Sequence, residues 1–524
     1  MFDLIIKNGT VVDGSGGELY SADVGLRGDK IVCVRPGLDG AAVTIEATGM
    51  LVTPGLIDPH SHTDWSILGN RDAQSTIRQG VTTEVVGNCG VTYAPLTAAG
   101  AGEAAAALRA YGYEGEVGWR TFGELLERVH DRGQGGGTAQ NLAWFVGHTA
   151  LRNAGDPARH LEEALDAGAL GMSSGLEYGS GRDATTAELL ALARILARRG
   201  GMYASHIRNR DAALAGAVDE FFQVAQAGDG LRAQLSHLNV RHNTGADPGA
   251  WERAVDRLAT ERDRGLDVLA DMTPYPDGIG LAVGLLPDWL LAGGAEEAAH
   301  RLGDQEVRER LRGECDRYWR FVHRGEWDRV TLATSPATPE LEGRTFPEIA
   351  RDLGGDEWDC FFDILRAAGP DMFAVQFIGR LFSEEHVAQA VAHPLFCLGV
   401  DGFSSRLDGP LAARTRHPLF FYGHLHYLAH HVVRRRTLGL AEAIHKMTAM
   451  VADHFGLAGR GRIAEGAWAD LAVFDPAGLA RLDTFQTPER YPDCVPYVLV
   501  NGALVVENGK HLGTRAGRQV RGGR

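Results

Sequence analysis

The stretch that most constrains this chain is residues 51–64, Leu-Val-Thr-Pro-Gly-Leu-Ile-Asp58-Pro-His60-Ser-His62-Thr-Asp64. It reads as a short buried strand running into two histidines one residue apart. Side chains i and i+2 of a strand point to the same side. His60 and His62 can therefore present two imidazoles to one point, which suits a metal such as zinc. Alone the pair is a weak sign, because most chance pairs are solvated or hydrogen-bonded within a core. Its meaning depends on what the rest of the chain brings to the same place.

The chain can build a large core: it has 524 residues, 44% hydrophobic and 23% charged. Its formal net charge of −16 argues against nucleic acid or an anionic membrane as partner. The basic tail Arg515, Arg518, Arg521 and Arg524 reads as a frayed terminus rather than a binding arm. Six cysteines in this length make no disulfide framework. Cys33, Cys315, Cys360, Cys397 and Cys494 read as buried or incidental thiols. The first residues, Met-Phe-Asp-Leu-Ile-Ile-Lys, lack a signal-peptide pattern, and no apolar run reaches membrane-spanning length. A reducing cytoplasm is the expected compartment.

Both ends look β-rich. Residues 2–12 alternate into a turn at Asn8-Gly9, and 22–34 turn at Gly28-Asp29. Residues 469–474 and 496–507 repeat the pattern, with turns at Asn501-Gly502 and Asn508-Gly509. The expectation is a small β-sandwich domain from residues 1–52 and 461–524. Between them, short apolar strands alternate with helices rich in Ala, Leu and Arg. Strand candidates end near Asp58, Gly87, Gly147, Ser173, His206, His237, Asp271 and Asp401. Eight is the count of a (β/α)8 TIM-like barrel, here over residues 53–460. Two further runs, 329–334 and 372–377, also look like strands, so an insertion over the barrel mouth is expected within 278–369. The Gly/Ala-rich piece 98–107 and the run 133–137 read as loop.

Catalytic groups in such barrels sit at the carboxyl ends of the strands. Six of the eight candidates end in a residue able to bind metal or act as a base: His60 with His62, Cys89, His148, His206, His237 and Asp401. Polar groups converging in a barrel mouth must be paired or metal-bound. The chain has only four lysines, Lys7, Lys30, Lys446 and Lys510, and none between Leu51 and Asp401. No barrel lysine can then act as Schiff-base amine or carbamylated metal bridge. The best bridging group is a Cys89 thiolate, which a neighbouring dication would keep deprotonated.

With these residues in place, the chain resembles the amidohydrolase superfamily, and within it the N-acyl-D-amino-acid deacylase (D-aminoacylase) group. The resemblance runs through Gly55-Leu-Ile-Asp-Pro-His60-Ser-His62, Gly87-Asn-Cys89-Gly, Gly147-His148, Ser174-Gly-Leu-Glu-Tyr178, Ser205-His206-Ile-Arg208, Ser236-His237-Leu and Gly399-Val-Asp401-Gly. It continues through Met447-Thr, Gly461-Arg-Ile-Ala-Glu-Gly-Ala-Trp-Ala-Asp470-Leu and Gly513-Thr-Arg-Ala-Gly517-Arg. It implies a zinc hydrolase of linear amides acting on N-acyl-D-amino acids or close analogues. It places a tightly held zinc on Cys89, His206 and His237, and a second, weaker site at His60 and His62. Asp401 becomes the general base, close enough to count among the ligands. His148, Tyr178 and Tyr275 fall near the substrate. Where the family often has a lysine to meet the substrate carboxylate, this chain has Asn239, which leaves two alternatives: an arginine compensates, from Arg208, Arg241, Arg406 or Arg416, or the substrate lacks a free carboxylate next to the amide. The family's Pro-His-Pro-Arg is here Arg416-His-Pro-Leu.

Other features have plainer readings. Gly423-His424-Leu-His426 repeats the His-x-His spelling in a helical context, 422–434, where i and i+2 diverge. His426 and His430 share a face there and read as packing. Asp58 and Asp64 orient ligands or cap a turn. Glu177 reads equally well as a loop carboxylate. The competing functions are a hydrolase of cyclic or neutral amides, of the hydantoinase or dihydroorotase kind, and a non-catalytic barrel scaffold.

Overall fold

Eight strands pair in parallel in the order of the sequence. In the computed structural model they are β1 (Leu56–Asp58), β2 (Val81–Val86), β3 (Asn141–Gly147), β4 (Gly171–Gly175), β5 (Met202–His206), β6 (Arg232–Leu235), β7 (Val268–Met272) and β8 (Phe396–Leu398). The structure describes residues 1–134, 136–228, 231–314, 319–488 and 490–522. Cys315, Arg524 and position 135 of the glycine run lie outside the described residues. Every residue of β2, β3, β4, β5 and β7 is buried. Helices cover the outer face of a parallel barrel and side chains fill its interior, so such strands read as continuous rather than alternating apolar runs. The helix Thr186–Arg199 shows how the cover forms. Thr185 caps its first turn, Leu189, Leu192, Ala193 and Leu196 face inward, and Gly200 ends it in the left-handed region at φ 67°.

The barrel closes just beyond the ends of β1 and β8. The Asp401 N–H donates to the His60 carbonyl at 2.9 Å, and the His62 N–H to the Gly402 carbonyl at 2.7 Å.

Strands from both chain ends form one nine-stranded sheet. Leu51–Pro54 joins the two halves by pairing antiparallel with Leu471–Phe474. Leu4, Ile6, Val24, Val52, Leu471 and Leu499 belong to its core. Asn501 (φ 48°) and Asn508 (φ 50°) make hairpin turns as expected. Asn8-Gly9 does not. It is a bulge within the single strand Phe2–Val11, where the pairing register shifts between Ile6 and Gly9. Asn8 is left-handed (φ 60°) and donates its N–H to Asp23 Oδ1 at 2.8 Å. A Cβ on Gly9 would come within 2.4 Å of Val52, so this glycine serves close packing. Nor is the Gly/Ala-rich piece 98–107 a loop: Thr97 caps a helix over Ala98–Ala110 that buries Ala101, Ala104 and Leu108, and its alanines outweigh its two glycines. The basic tail is not frayed either. Gln519–Val520 pairs alongside β3, Arg515 meets Asp72 at 2.8 Å and Arg518 meets Asp29 at 2.9 Å.

Between β7 and β8, Asp277–Leu281, Val330–Thr334 and Gln376–Arg380 form a three-stranded sheet. It extends past both expected limits of the insertion. The first strand escaped the sequence reading because Asp277-Gly-Ile-Gly-Leu281 carries two glycines, which strands disfavour. Among the described residues, no helix is long and apolar enough to cross a membrane.

A buried ion pair, Arg460 with Asp470, ties the terminal sheet to the barrel. Asp470 also accepts the Asn501 N–H at 2.7 Å, and the Asn501 side chain donates to Asn141 at the start of β3 at 2.8 Å. Removing one partner of such a pair strands a buried charge. Asp470→Ala should therefore cost about 3–5 kcal/mol of stability in chemical denaturation.

Candidate metal centre

Each candidate ligand sits where a strand gives way to a loop. β1 runs on into His60 and His62, β2 into Cys89, β6 into His237 and β8 into Asp401, while β5 ends on His206 itself. Three of these residues are in the left-handed region: Cys89 at φ 54°, His237 at φ 33° and Asp401 at φ 57°. For a residue with a Cβ this costs about 1–3 kcal/mol and persists only where the surroundings enforce it. The sharp turn aims each side chain across the mouth.

The result is two overlapping groups, His60–His62–Cys89–Asp401 and Cys89–His206–His237, each with all candidate ligand atoms within 4.8 Å of one another. Cys89 Sγ lies 3.2 Å from His60 Nε2 and 3.4 Å from His237 Nε2. Asp401 Oδ1 lies 3.1 Å from His62 Nε2 and 3.4 Å from His60 Nε2. One thiol is thus common to both groups. A thiol, four imidazoles and a carboxylate at these separations fit one or two zinc-sized dications.

The electrostatics agree. Burial opposes ionisation of Cys89, yet His60 and His237 beside it hold the thiol well below its usual range. Burial likewise opposes the Asp401 carboxylate, but His237, His60 and His62 hold it below the ordinary range. Burial and then Arg210 push His237 down to about 4, which keeps its imidazole neutral and able to coordinate.

Behind the candidate ligands stands a layer that sequence reasoning largely missed. Asp271, the last polar residue of β7, binds His60 Nδ1 at 3.0 Å and accepts the His237 backbone N–H at 2.8 Å. Glu177 binds His206 Nε2 at 2.8 Å and is itself gripped by both terminal nitrogens of Arg241, at 2.6 and 2.5 Å. Carboxylates on the far ring nitrogen fix the tautomer and leave the near one free for metal. Asp58 accepts the His60 N–H at 2.9 Å, and Asp64 the Gly87 N–H at 3.2 Å. Asp271 was visible in the sequence only as a strand end.

The mouth opens into a cavity of about 350 Å³ lined by His62, Cys89 and His206, and roofed by Ile279 and Leu281 of the insertion. Tyr178 and Asn239 line it. Tyr178 donates its hydroxyl to the Cys89 carbonyl at 3.0 Å. Three expected substrate contacts do not line it. His148 is buried against Glu188 at 2.9 Å. Arg208 pairs with Glu220 at 2.8 Å and donates to the carbonyls of Arg182 and Ala184. Tyr275 is turned into the core, donates to the Thr484 carbonyl at 2.6 Å and stacks on His426. Of the other arginines, Arg406 pairs with Asp408 and Arg416 with Glu342. The cavity instead receives Arg241 and the unforeseen Arg210. The alternation His206, Arg208, Arg210 beyond β5 could not tell which arginine turns inward. Trp65, Tyr111 and Phe403 form an apolar wall, with Trp65 stacked 4.2 Å from His62.

A closed parallel barrel with thiol, imidazoles and carboxylate gathered at the carboxyl ends of its strands is the architecture of a barrel metalloenzyme. Residues 43–130 and 294–506 match the profile of the amidohydrolase family, and the chain belongs to that family. It is 31% identical to the D-aminoacylase of Alcaligenes xylosoxydans xylosoxydans, over 99% of this chain and 97% of the relative. A D-aminoacylase structure with a binuclear metal centre superposes at a TM-score of 0.79 with 29% identity, over 99% of this chain and 100% of that one. The N-acyl-D-glutamate deacylase of Bordetella bronchiseptica, complexed with zinc and a phosphonate inhibitor, superposes at 0.78 with 28% identity, over 99% of both chains.

Chelator competition should separate ligand from support. Cys89→Ala should abolish tight metal binding, whereas Asp271→Ala should weaken it by about 10–100-fold.

Proposed function

We propose that this protein is a zinc-dependent deacylase that hydrolyses the linear amide of N-acyl-D-amino acids to a carboxylate and the free D-amino acid. The observation that carries this reading is the Cys89 sulfur shared between His60 and His237, with Asp401 against His60 and His62 at the floor of a cavity that Arg210 enters. Membership of the family makes the chain a metal-dependent hydrolase of carbon–nitrogen bonds other than peptide bonds. The activities of the relatives that match it along their whole length support the finer assignment.

Cys89, His206 and His237 would hold the tighter zinc, and His60, His62 and Asp401 a weaker second one. A zinc held there would bring the pKa of a water to about 7 and would polarise the substrate carbonyl. Asp401, kept ionised by its histidines, takes the water proton and returns it to the leaving nitrogen. Arg210 holds the substrate carboxylate. Arg241 is already held by Glu177 at 2.5 Å and Asp211 at 2.9 Å, whereas Arg210 meets the same Glu177 at 3.7 Å. One such cation suits one carboxylate, and the wall of Trp65, Tyr111 and Phe403 suits an apolar side chain. The described cysteines are all free thiols, which fits a reducing cytoplasm.

Amine release from N-acetyl-D- and L-amino acids, and from matching D-carboxamides, tests the reading. D-acids should turn over and L-acids should not. N-acetyl-D-leucine should exceed N-acetyl-D-glutamate by about tenfold or more in kcat/KM. Equal turnover of carboxamides would remove the carboxylate from the proposal.

Arg210→Ala should raise KM for the D-acid by about 10–100-fold, the loss of a charge-assisted hydrogen bond. The slow turnover of the carboxamide should fall much less, through the Arg210 contact to His237 alone.

A further inference from the structure

Outside the barrel mouth, His426, His430 and His431 offer ring nitrogens that all lie within 4.8 Å of one another. The sequence suggested an ordinary helix here. The structure instead runs the helix Leu419–His426 into a π-helical stretch, Tyr427–Arg434. In an α-helix, His431 would be rotated about 140° from His426. The wider π turn brings both i+4 and i+5 beneath residue i. π-helical turns are rare and frequently mark functional sites.

The outer nitrogens are anchored as they are around metal ligands. His426 Nδ1 meets Thr484 Oγ1 at 2.8 Å. His431 Nε2 meets the Pro274 carbonyl at 2.9 Å. A carbonyl only accepts, so Nε2 carries the proton and Nδ1 keeps a lone pair. That Nδ1 is buried with no hydrogen-bond partner, on a residue only 2% exposed. A buried acceptor left unsatisfied costs about 1–3 kcal/mol. His430 is half-buried and gives the cluster its solvent side. Tyr275 stacks on His426 at 3.8 Å, and Phe485 stands edge-on 5.1 Å from both His426 and His430. Burial holds His426 and His431 unprotonated at neutral pH, the form that coordinates.

We propose that His426, His430 and His431 form a second metal site, for a borderline dication such as Zn2+, Cu2+ or Ni2+, separate from the barrel centre. Three imidazoles without a carboxylate select these ions over Mg2+ or Ca2+. The role is structural. Pro274 and Tyr275 lead directly into the first strand of the insertion, Asp277–Leu281, and the Thr484 carbonyl accepts the Tyr275 hydroxyl. An ion held here braces the root of the insertion against the π-helical stretch.

The test compares full-length wild type with His430→Ala, both zinc-loaded, desalted and titrated with Cu2+, read by EPR. Wild type should take up one copper equivalent more than the variant, with multi-nitrogen hyperfine structure. In the variant that equivalent should vanish or bind at least about tenfold weaker. Equal uptake with identical spectra would overturn the proposal and make the cluster a packed histidine stack. Should His430→Ala fail to fold, His430→Gln at the same half-buried position carries the same comparison.

Discussion

The seam between β1 and β8 is the constraint on which the rest depends. The two hydrogen bonds that close the barrel there run through the backbones of His60, His62, Asp401 and Gly402. Closure of the fold and assembly of the site are therefore one event. A parallel barrel has no free edge only once its first and last strands meet, and here that meeting sets Asp401 against two histidines. The strained backbones of Cys89, His237 and Asp401 follow from the same requirement. Strands that point along the barrel must turn their last side chains sideways to share one small volume, and only a closed barrel holds them there.

The cysteine changes what this mouth can be. The chain carries no lysine from Leu51 to Asp401, and among the described residues Cys89 is the member common to both candidate ligand groups. A thiolate is softer than a carboxylate and needs less counter-charge from its surroundings. The outer carboxylates act on the imidazoles instead: Asp271 on His60, Glu177 on His206. Glu177 is in turn held by Arg241 at 2.5 Å and by Arg210 at 3.7 Å, and both arginines border the cavity.

The barrel and the gathering of His60, His62, Cys89, His206, His237 and Asp401 at its mouth were legible in the sequence because both are periodic or local. A buried parallel strand announces itself as an apolar run, and a ligand at its end stands a fixed step beyond. The cavity walls were much less so. Tyr275 and Arg208 follow motifs that suggest substrate contact, yet the first is stacked on His426 and the second is spent on Glu220. Which way a loop side chain turns depends on partners remote in sequence, such as Thr484 for Tyr275. The lid strand Asp277–Leu281 was hidden by its glycines, and the bulge at Asn8 imitated a turn because both need a residue with positive φ. The π-helical register of 427–434 has no signature in composition.

The terminal sheet has a consequence for how the protein is made. Leu51–Pro54 finds its neighbour in Leu471–Phe474, more than four hundred residues later. At ribosomal speeds of about 5–20 residues per second, the early strands wait roughly 20–80 s for that neighbour. During that time they present a bare row of backbone donors and acceptors, the kind of edge that recruits other chains. The half-built sheet, rather than the barrel, is the part of the nascent chain with most need of shelter.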